Sequence, residues 1–303
     1  LGDVYKRQAL STQVIGNSDF YNGAFPSEYS NALSGVFDMQ IRNGNNQKYE
    51  HTFQLGILGI DLASEGPISR KHGSSYIFNY RFSTTSLATG NDMNLKYQDL
   101  SFKLNFPTRK AGTFSIWGIG LIDRYKPEAI DRDEWETQGD RQSGNTAFDK
   151  AAGGLTHKYL INADTYIRSS LAATYSKDRT RADQMTEDDK LVHVGDIRNS
   201  KCDIVFNSYL NKKFNSNHIN RTGITVTGLQ YDLDYKISPN FGLDVPMEQI
   251  SKGNGGSCVL SAYSSSVINL SNHLITSLGI TAQYFTLNKN WTVEPRAALK
   301  WSF

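Results

Sequence analysis

The residues best suited to chemistry are dispersed. The six histidines, at positions 51, 72, 157, 193, 218 and 273, form no HExxH pair and no nucleophile–base motif. Two stretches gather carboxylates: Asp131, Asp133, Glu134 and Glu136, then Asp183, Glu187, Asp188 and Asp189. Several carboxylates close together suit a hard cation such as calcium. These lack the ligand order and the glycine of an EF-hand, so they read as solvated loops. The run KGNGGS at 252–257 has the composition of a phosphate cradle, but it leads into no helix and reads as a polar loop. Cys202 and Cys258 have no metal-ligand spacing and are too few for a disulfide framework. The sequence therefore predicts no catalytic residue, no metal and no cofactor. Trp135, set among charges, is the ligand candidate: a loop indole can stack on a sugar or another flat molecule, with anchoring at an interface as the other reading.

The elements that would position such residues follow from composition and period. Lysine and arginine number 32 against 30 acidic residues, spread evenly, so no basic stripe offers itself to nucleic acid. No apolar run reaches the length of a transmembrane helix. A transmembrane barrel is not excluded by this, because its strands alternate lipid-facing and lumen-facing residues. The 16 Tyr and 15 Phe fit aromatic girdles at two membrane interfaces.

Period-two alternation is cleanest at the end of the chain. Trp291, Val293, Pro295, Ala297, Leu299, Trp301 and Phe303 alternate with Thr292, Glu294, Arg296, Ala298, Lys300 and Ser302. The same pattern occurs at Tyr76 to Phe82, at Leu100 to Phe106, at Ile167 to Tyr175 and at Leu274 to Tyr284. It places Arg81, Lys103, Arg168, Glu294, Arg296 and Lys300 on the wet, lumen-facing side. Two segments slip phase, at 114–121 and across Gly228, and a β-bulge is expected in each. The face of 258–268 is left open.

Connections fall into two alternating classes. Short turns are expected near 69–73, 108–112, 162–165, 215–218 and 271–273; between them come long polar loops near 124–152, 177–199 and 237–255, plus shorter ones near 87–94 and 288–290. Short turns at one end and long loops at the other mark a closed antiparallel barrel, and the count gives about twelve strands from residue 50 onward. The first two, near 50–67, could also be read as one long strand. Residues 1–8 (LGDVYKRQ) lack the apolar core of a signal peptide and look like translated adapter read-through.

Residues 16–46, GNSDFYNGAFPSEYSNALSGVFDMQIRNGNN, resemble the closing segment of the plug domain in TonB-dependent receptors of the Bacteroidetes type. Ser34, Gly35, Val36, Phe37, Ile41, Arg42 and Gly44 occupy the places of that family's plug-end motif. EGPI at 65–68, SSYIFNYRFS at 74–83 and WTVEPRAALKW at 291–301 are similar to its early barrel strands.

The resemblance implies an all-β protein: a plug remnant at 9–48, then at 49–303 the N-terminal half of an antiparallel transmembrane β-barrel, about twelve of some 22 strands. It also implies that the chain stops early at Phe303 and that signal peptide, TonB box and most of the plug precede residue 9. The implied activity is import rather than catalysis. A bulky nutrient such as a siderophore, glycan or peptide binds at extracellular loops and plug apices, and TonB, driven by the inner-membrane proton gradient, pulls the plug. Partners would be outer-membrane lipid, TonB, the ligand and a surface lipoprotein. Two other readings stand beside it: a self-contained outer-membrane porin or adhesin, and a secreted glycan-binding β-sandwich or β-solenoid.

Overall fold

The computed structural model describes residues 11–22, 25–30, 32, 35–56, 59–83, 94–127, 129–239, 242–243 and 245–302. The expectations about residues 1–8, Ser34, most of the 87–94 loop and Phe303 lie outside these. Among the described residues two sheets form. β1 (Asp19–Asn22) and β2 (Gly35–Asp38) make an antiparallel pair. The rest is one meander of 12 strands in which each pairs with its sequence neighbours. Its members are β3 (Glu50–Gly56), β4 (Gly59–Ser69), β5 (Ser74–Ser83), β6 (Asn94–Pro107), β7 (Thr113–Lys126) and β8 (Gln142–Asn162), then β9 (Thr165–Met185), β10 (Leu191–Asn215), β11 (His218–Ile237), β12 (Glu248–Ser271), β13 (Leu274–Phe285) and β14 (Asn290–Trp301).

The described residues between 11 and 42 lie against one face of this sheet, here termed inner. Arg296, Thr281, Gln283, Arg221 and Lys103 all reach them from it. Because successive strand residues point to opposite faces, these contacts fix the register everywhere. The outer face of β14 carries Trp291, Val293, Leu299 and Trp301, with the two indoles 70% exposed, while Glu294, Arg296 and Lys300 point inward, as the alternation predicts. Pairing then sets Tyr284, Ile280 and Leu278 outward on β13 and Leu260, Ala262, Ile268 and Cys258 outward on β12, which resolves the segment left open.

Along β9 the outward apolar run ends at Tyr175 and gives way to Lys177, Arg179 and Arg181. From Thr165 to Tyr175 is about eleven residues, the length of a tilted strand crossing a ~30 Å hydrocarbon layer. β9 has 21 residues and β10 has 25, so roughly half of each projects beyond the band.

That projection corrects the expected long loops. The connections are 127–141, 186–190 and 238–247, because the polar sequence around them continues as strand. Even KGNGGS lies inside β12. Outside a lipid layer both faces of a hairpin can be wet, so backbone pairing persists after the apolar alternation ends. The expected bulges are absent too: β7 pairs with β6 and β8 without a shift, and β11 stays in register until Tyr235. In β7 the outward positions 118 and 120 are glycines and the inward ones are Trp117, Ile119 and Leu121. An added Cβ on Gly118 would meet the Phe102 ring, so the neighbouring strand supplies the outward apolar cover. Residues 50–69 form two strands, β3 and β4.

Candidate functional site

The N-terminal segment crosses the inner face like a chord, held near both ends of the open sheet. At the β4–β6 end, Arg42 donates from both terminal nitrogens to Glu65, at 2.7 and 2.5 Å, and through Nε to the Gln13 carbonyl at 2.9 Å. The Glu65 carboxylate also accepts from the Asn45 amide at 2.7 Å. Hydrogen bonding to Glu65 raises the Arg42 pKa against the opposing effect of burial. Ser11 donates to Asp61 at 2.9 Å, an aspartate also bonded by Asn79. Lys103 Nζ donates to the Ile41 carbonyl at 2.7 Å. Gly44 is where the chain passes closest: a Cβ there would overlap the Tyr76 carbonyl.

At the β4–β6 end the segment mostly donates to wall carboxylates; at the β11–β14 end the roles reverse, the wall supplying donors and the segment mostly carbonyls. Thr281 Oγ1 donates to Ser27 O at 2.6 Å, and Gln283 Nε2 to Ser30 Oγ at 2.7 Å. Arg296 donates to Tyr29 O at 3.0 Å, pairs with Glu294 at 3.1 Å and sits over the Phe25 ring at 5.6 Å. Arg221 pairs with Glu28 at 2.6 Å and stacks on Tyr209 at 4.8 Å. Tyr29 donates to Asp38 at 3.0 Å; burial, then the Asp38 and Glu28 charges, push its phenol far up, so it stays protonated. A cavity of about 300 Å³ remains between the segment and the wall, with Arg221, Glu28, Gly279 and Arg296 in its lining.

The residues named from sequence are not all brought together. Gly35, Val36 and Phe37 form β2, paired with Asn22, Tyr21 and Phe20 of β1, whereas Ile41 bridges Ile15. The motif is thus split: its strand ends at Asp38 and has its partner inside the segment. Phe37 is 56% exposed and meets Phe20, not the wall. Parts of the segment are well packed: Ser11, Val14, Phe25 and Ser27 are buried. Arg81 faces inward and pairs with Asp99 at 2.8 Å. Arg168 lies inward, between Lys158 and Tyr209 of the flanking strands. Lys300 points inward but is exposed. Trp135 stands far from this chord in the 127–141 connection. Its Nε1 donates to Ile130 O at 2.9 Å and Arg141 covers its ring at 4.6 Å, so one ring face and the N–H are already used. Glu28, Glu65, Arg221, Gly279, Thr281 and Gln283 were not singled out by sequence. For the five on the wall the available signal was a polar or small type at inward phase; Glu28, in a turn of the segment, carried none.

No family model matches the chain, and no curated protein sequence matches it. Solved structures do. The ferric-catecholate import receptor Fiu from E. coli, in its open form, superposes with a TM-score of 0.65 at 12% identity, over 90% of this chain and 50% of that one. The siderophore receptor PirA from Acinetobacter baumannii gives 0.64 at 14%, over 97% and 47%. PiuA from the same organism gives 0.63 at 11%, over 94% and 51%. At these identities the likeness is one of fold: the 12-stranded antiparallel sheet matches part of the β-barrel of these receptors. The chain spans about half the length of these structures.

Proposed function

We propose that the chain belongs to a TonB-dependent outer-membrane receptor, with residues 9–48 the end of its plug and 49–303 the first half of its barrel. The whole protein would bind a bulky nutrient outside the cell and import it with energy transduced by TonB. The observation that carries the reading is the chord, a segment with a two-stranded sheet of its own, bonded to inward side chains at both ends of a half-barrel. The shared fold supports it, since the solved structures that have it are by name siderophore receptors and a ferric-catecholate import receptor. The motif at Gly35, Val36, Phe37, Ile41, Arg42 and Gly44 would then close the plug. The inward Lys103 and Arg296 would hold it, and the outward aromatic band would meet lipid. A surface lipoprotein would cap the long-loop end.

The test uses Ser27→Cys, a position 1% exposed, with Cys202 and Cys258 replaced by serine, in cells carrying the protein at natural length. Labelling by a maleimide delivered to the periplasm should rise in energised cells and fall to background when TonB is deleted or the proton gradient collapsed. Labelling indifferent to TonB, with conductance in planar bilayers, would favour the porin reading. Solubility without detergent would favour the secreted one.

A further inference from the structure

The two faces of the sheet exchange polarity where the strands leave the apolar band. Outside, the projecting part carries ion pairs: Arg124 and Arg179 both hold Asp149, and Arg198 holds Asp234 at 3.1 Å. Inside, the same rows turn aromatic. This is the cause of the phase slip in β11, whose Leu229, Tyr231 and Leu233 point inward.

One inward row stands out. The register sets Tyr97 of β6, Asp123 of β7, Phe148 of β8, Asp178 of β9 and Asn199 of β10 side by side. Rings and acceptors alternate at the strand spacing of ~4.8 Å, so the two carboxylates flank Phe148 about 10 Å apart. Asp123 comes one residue after the outward Ile122, and Asp178 three after Tyr175, so the row starts at the rim of the band and climbs above it. Each of these carboxylates keeps a buried Oδ1 with no hydrogen-bond partner, an arrangement that is destabilising unless a donor arrives. Beyond Asn199 the row continues to Leu233 and Gly253, and nothing lies within 4 Å of where a Cβ on Gly253 would be.

We infer that this row is a saccharide-binding subsite. Lys150 Nζ lies 5.6 Å from the centre of the Phe148 ring and the Arg81 guanidinium 6.0 Å from that of Tyr97, so sugar rings of a neutral oligosaccharide stack on the opposite face of each, and their hydroxyls donate to Asp123 and Asp178. Rings with apolar faces and edges rich in donors match an alternation of aryl and carboxylate groups. The charge balance argues against an anionic ligand. In this row and the one beneath it, Arg81, Lys150 and Lys201 face Asp99, Asp123 and Asp178, three against three, and Arg81 is committed to Asp99 at 2.8 Å. An anionic metal chelate would meet carboxylates with no excess of cations. The inference takes from the receptor reading only that ligand enters from the long-loop end.

The protein at natural length, purified in detergent, is titrated calorimetrically with cello-, malto-, xylo- and manno-oligosaccharides and, separately, with a ferric tris-catecholate. One saccharide series should bind. Phe148→Ala should then weaken it about tenfold, Phe148→Tyr should retain it, and Asp123→Asn and Asp178→Asn should each weaken it severalfold. Heat-modifiable gel mobility verifies that each variant is folded. Failure of every saccharide series, or catecholate binding that strengthens on Asp→Asn substitution, overturns the inference. Either result leaves the receptor reading to be judged by the TonB-dependent labelling of Ser27→Cys.

Discussion

Gly279 separates the stability of the sheet from the docking of the segment. It sits inward on β13, and an added Cβ would overlap Ser27 Oγ, lie 3.1 Å from Ser27 Cβ and 3.2 Å from Ser264 O. In the sheet alone, Gly279→Ala should stabilise, since glycine in a strand costs roughly 0.5–1 kcal/mol relative to alanine. Against the segment it is overpacking, with a cost of about 1–3 kcal/mol. The detached population should therefore grow roughly five- to 150-fold while the sheet holds or gains. Hydrogen exchange reads this at Tyr29, whose amide donates to Pro26 O at 3.0 Å. Exchange there should accelerate by that factor while amides of β12 and β13 stay protected. Ser27→Gly, which removes the obstructing atoms, should restore protection in the double variant. Unchanged exchange at Tyr29, or acceleration shared by the strands, would refute the assignment of Gly279 as the seat of Ser27.

Three further outcomes are expected. In single-tryptophan variants in brominated-lipid bilayers, Trp291 and Trp301, outward and 70% exposed, should be strongly quenched, and Trp117 (inward) and Trp135 (connection) weakly; equal quenching would mean the faces are wrongly assigned. Arg42→Met should loosen the segment by roughly 2–4 kcal/mol, below the range for a fully buried pair because Arg42 is partly exposed. Adding Glu65→Gln should recover much of this in urea titration, and strict additivity would argue against the pair. Asp140 accepts from the Thr137 amide at 2.5 Å, the Thr137 hydroxyl at 2.9 Å and the Glu136 amide at 3.0 Å, and these bonds hold its carboxyl below the ordinary aspartate range. A depressed pKa means that its contribution is complete above the unfolded value and is lost as pH falls through the folded one. The emission of Trp135 should hence shift reversibly only below about pH 4, and Asp140→Asn should abolish that shift.

Legibility in the sequence followed the solvent. Where lipid-like and polar surroundings face opposite sides of a strand, as at Trp291 to Trp301, alternation specifies face and register, and the structure agrees residue by residue. Where both sides are wet, as in residues 177–199, nothing marks a strand except backbone pairing, so the sequence has the character of a loop where β9 and β10 continue beyond the band. Where an inward position turns apolar, as at Trp117 or Leu229, the period survives but its meaning changes, and a continuous strand looked bulged. Arg296 and Lys103 could be placed by phase alone. Their partners are carbonyls of Tyr29 and Ile41 far off in sequence, and no side-chain type announces a main-chain acceptor.

That choice of acceptor bears on what the chord can do. Arg296, Thr281 and Lys103 bond to peptide oxygens at 25–42, so the wall grips the segment largely through its backbone. Such bonds exchange for water on release, and each contributes a net ~0.5–1.5 kcal/mol, somewhat more from a charged donor. Among the described residues of 11–42, only Arg42 with Glu65 and Arg221 with Glu28 are ion pairs between segment and wall; breaking the first leaves the mostly buried Glu65 carboxylate on the wall, and breaking the second leaves the Arg221 guanidinium there while Glu28 departs with the segment. A directed pull on the chain would meet many weak bonds and two strong ones. Under the receptor reading, those two pairs set the force at which the segment leaves the wall, and the carbonyl contacts set how readily it returns.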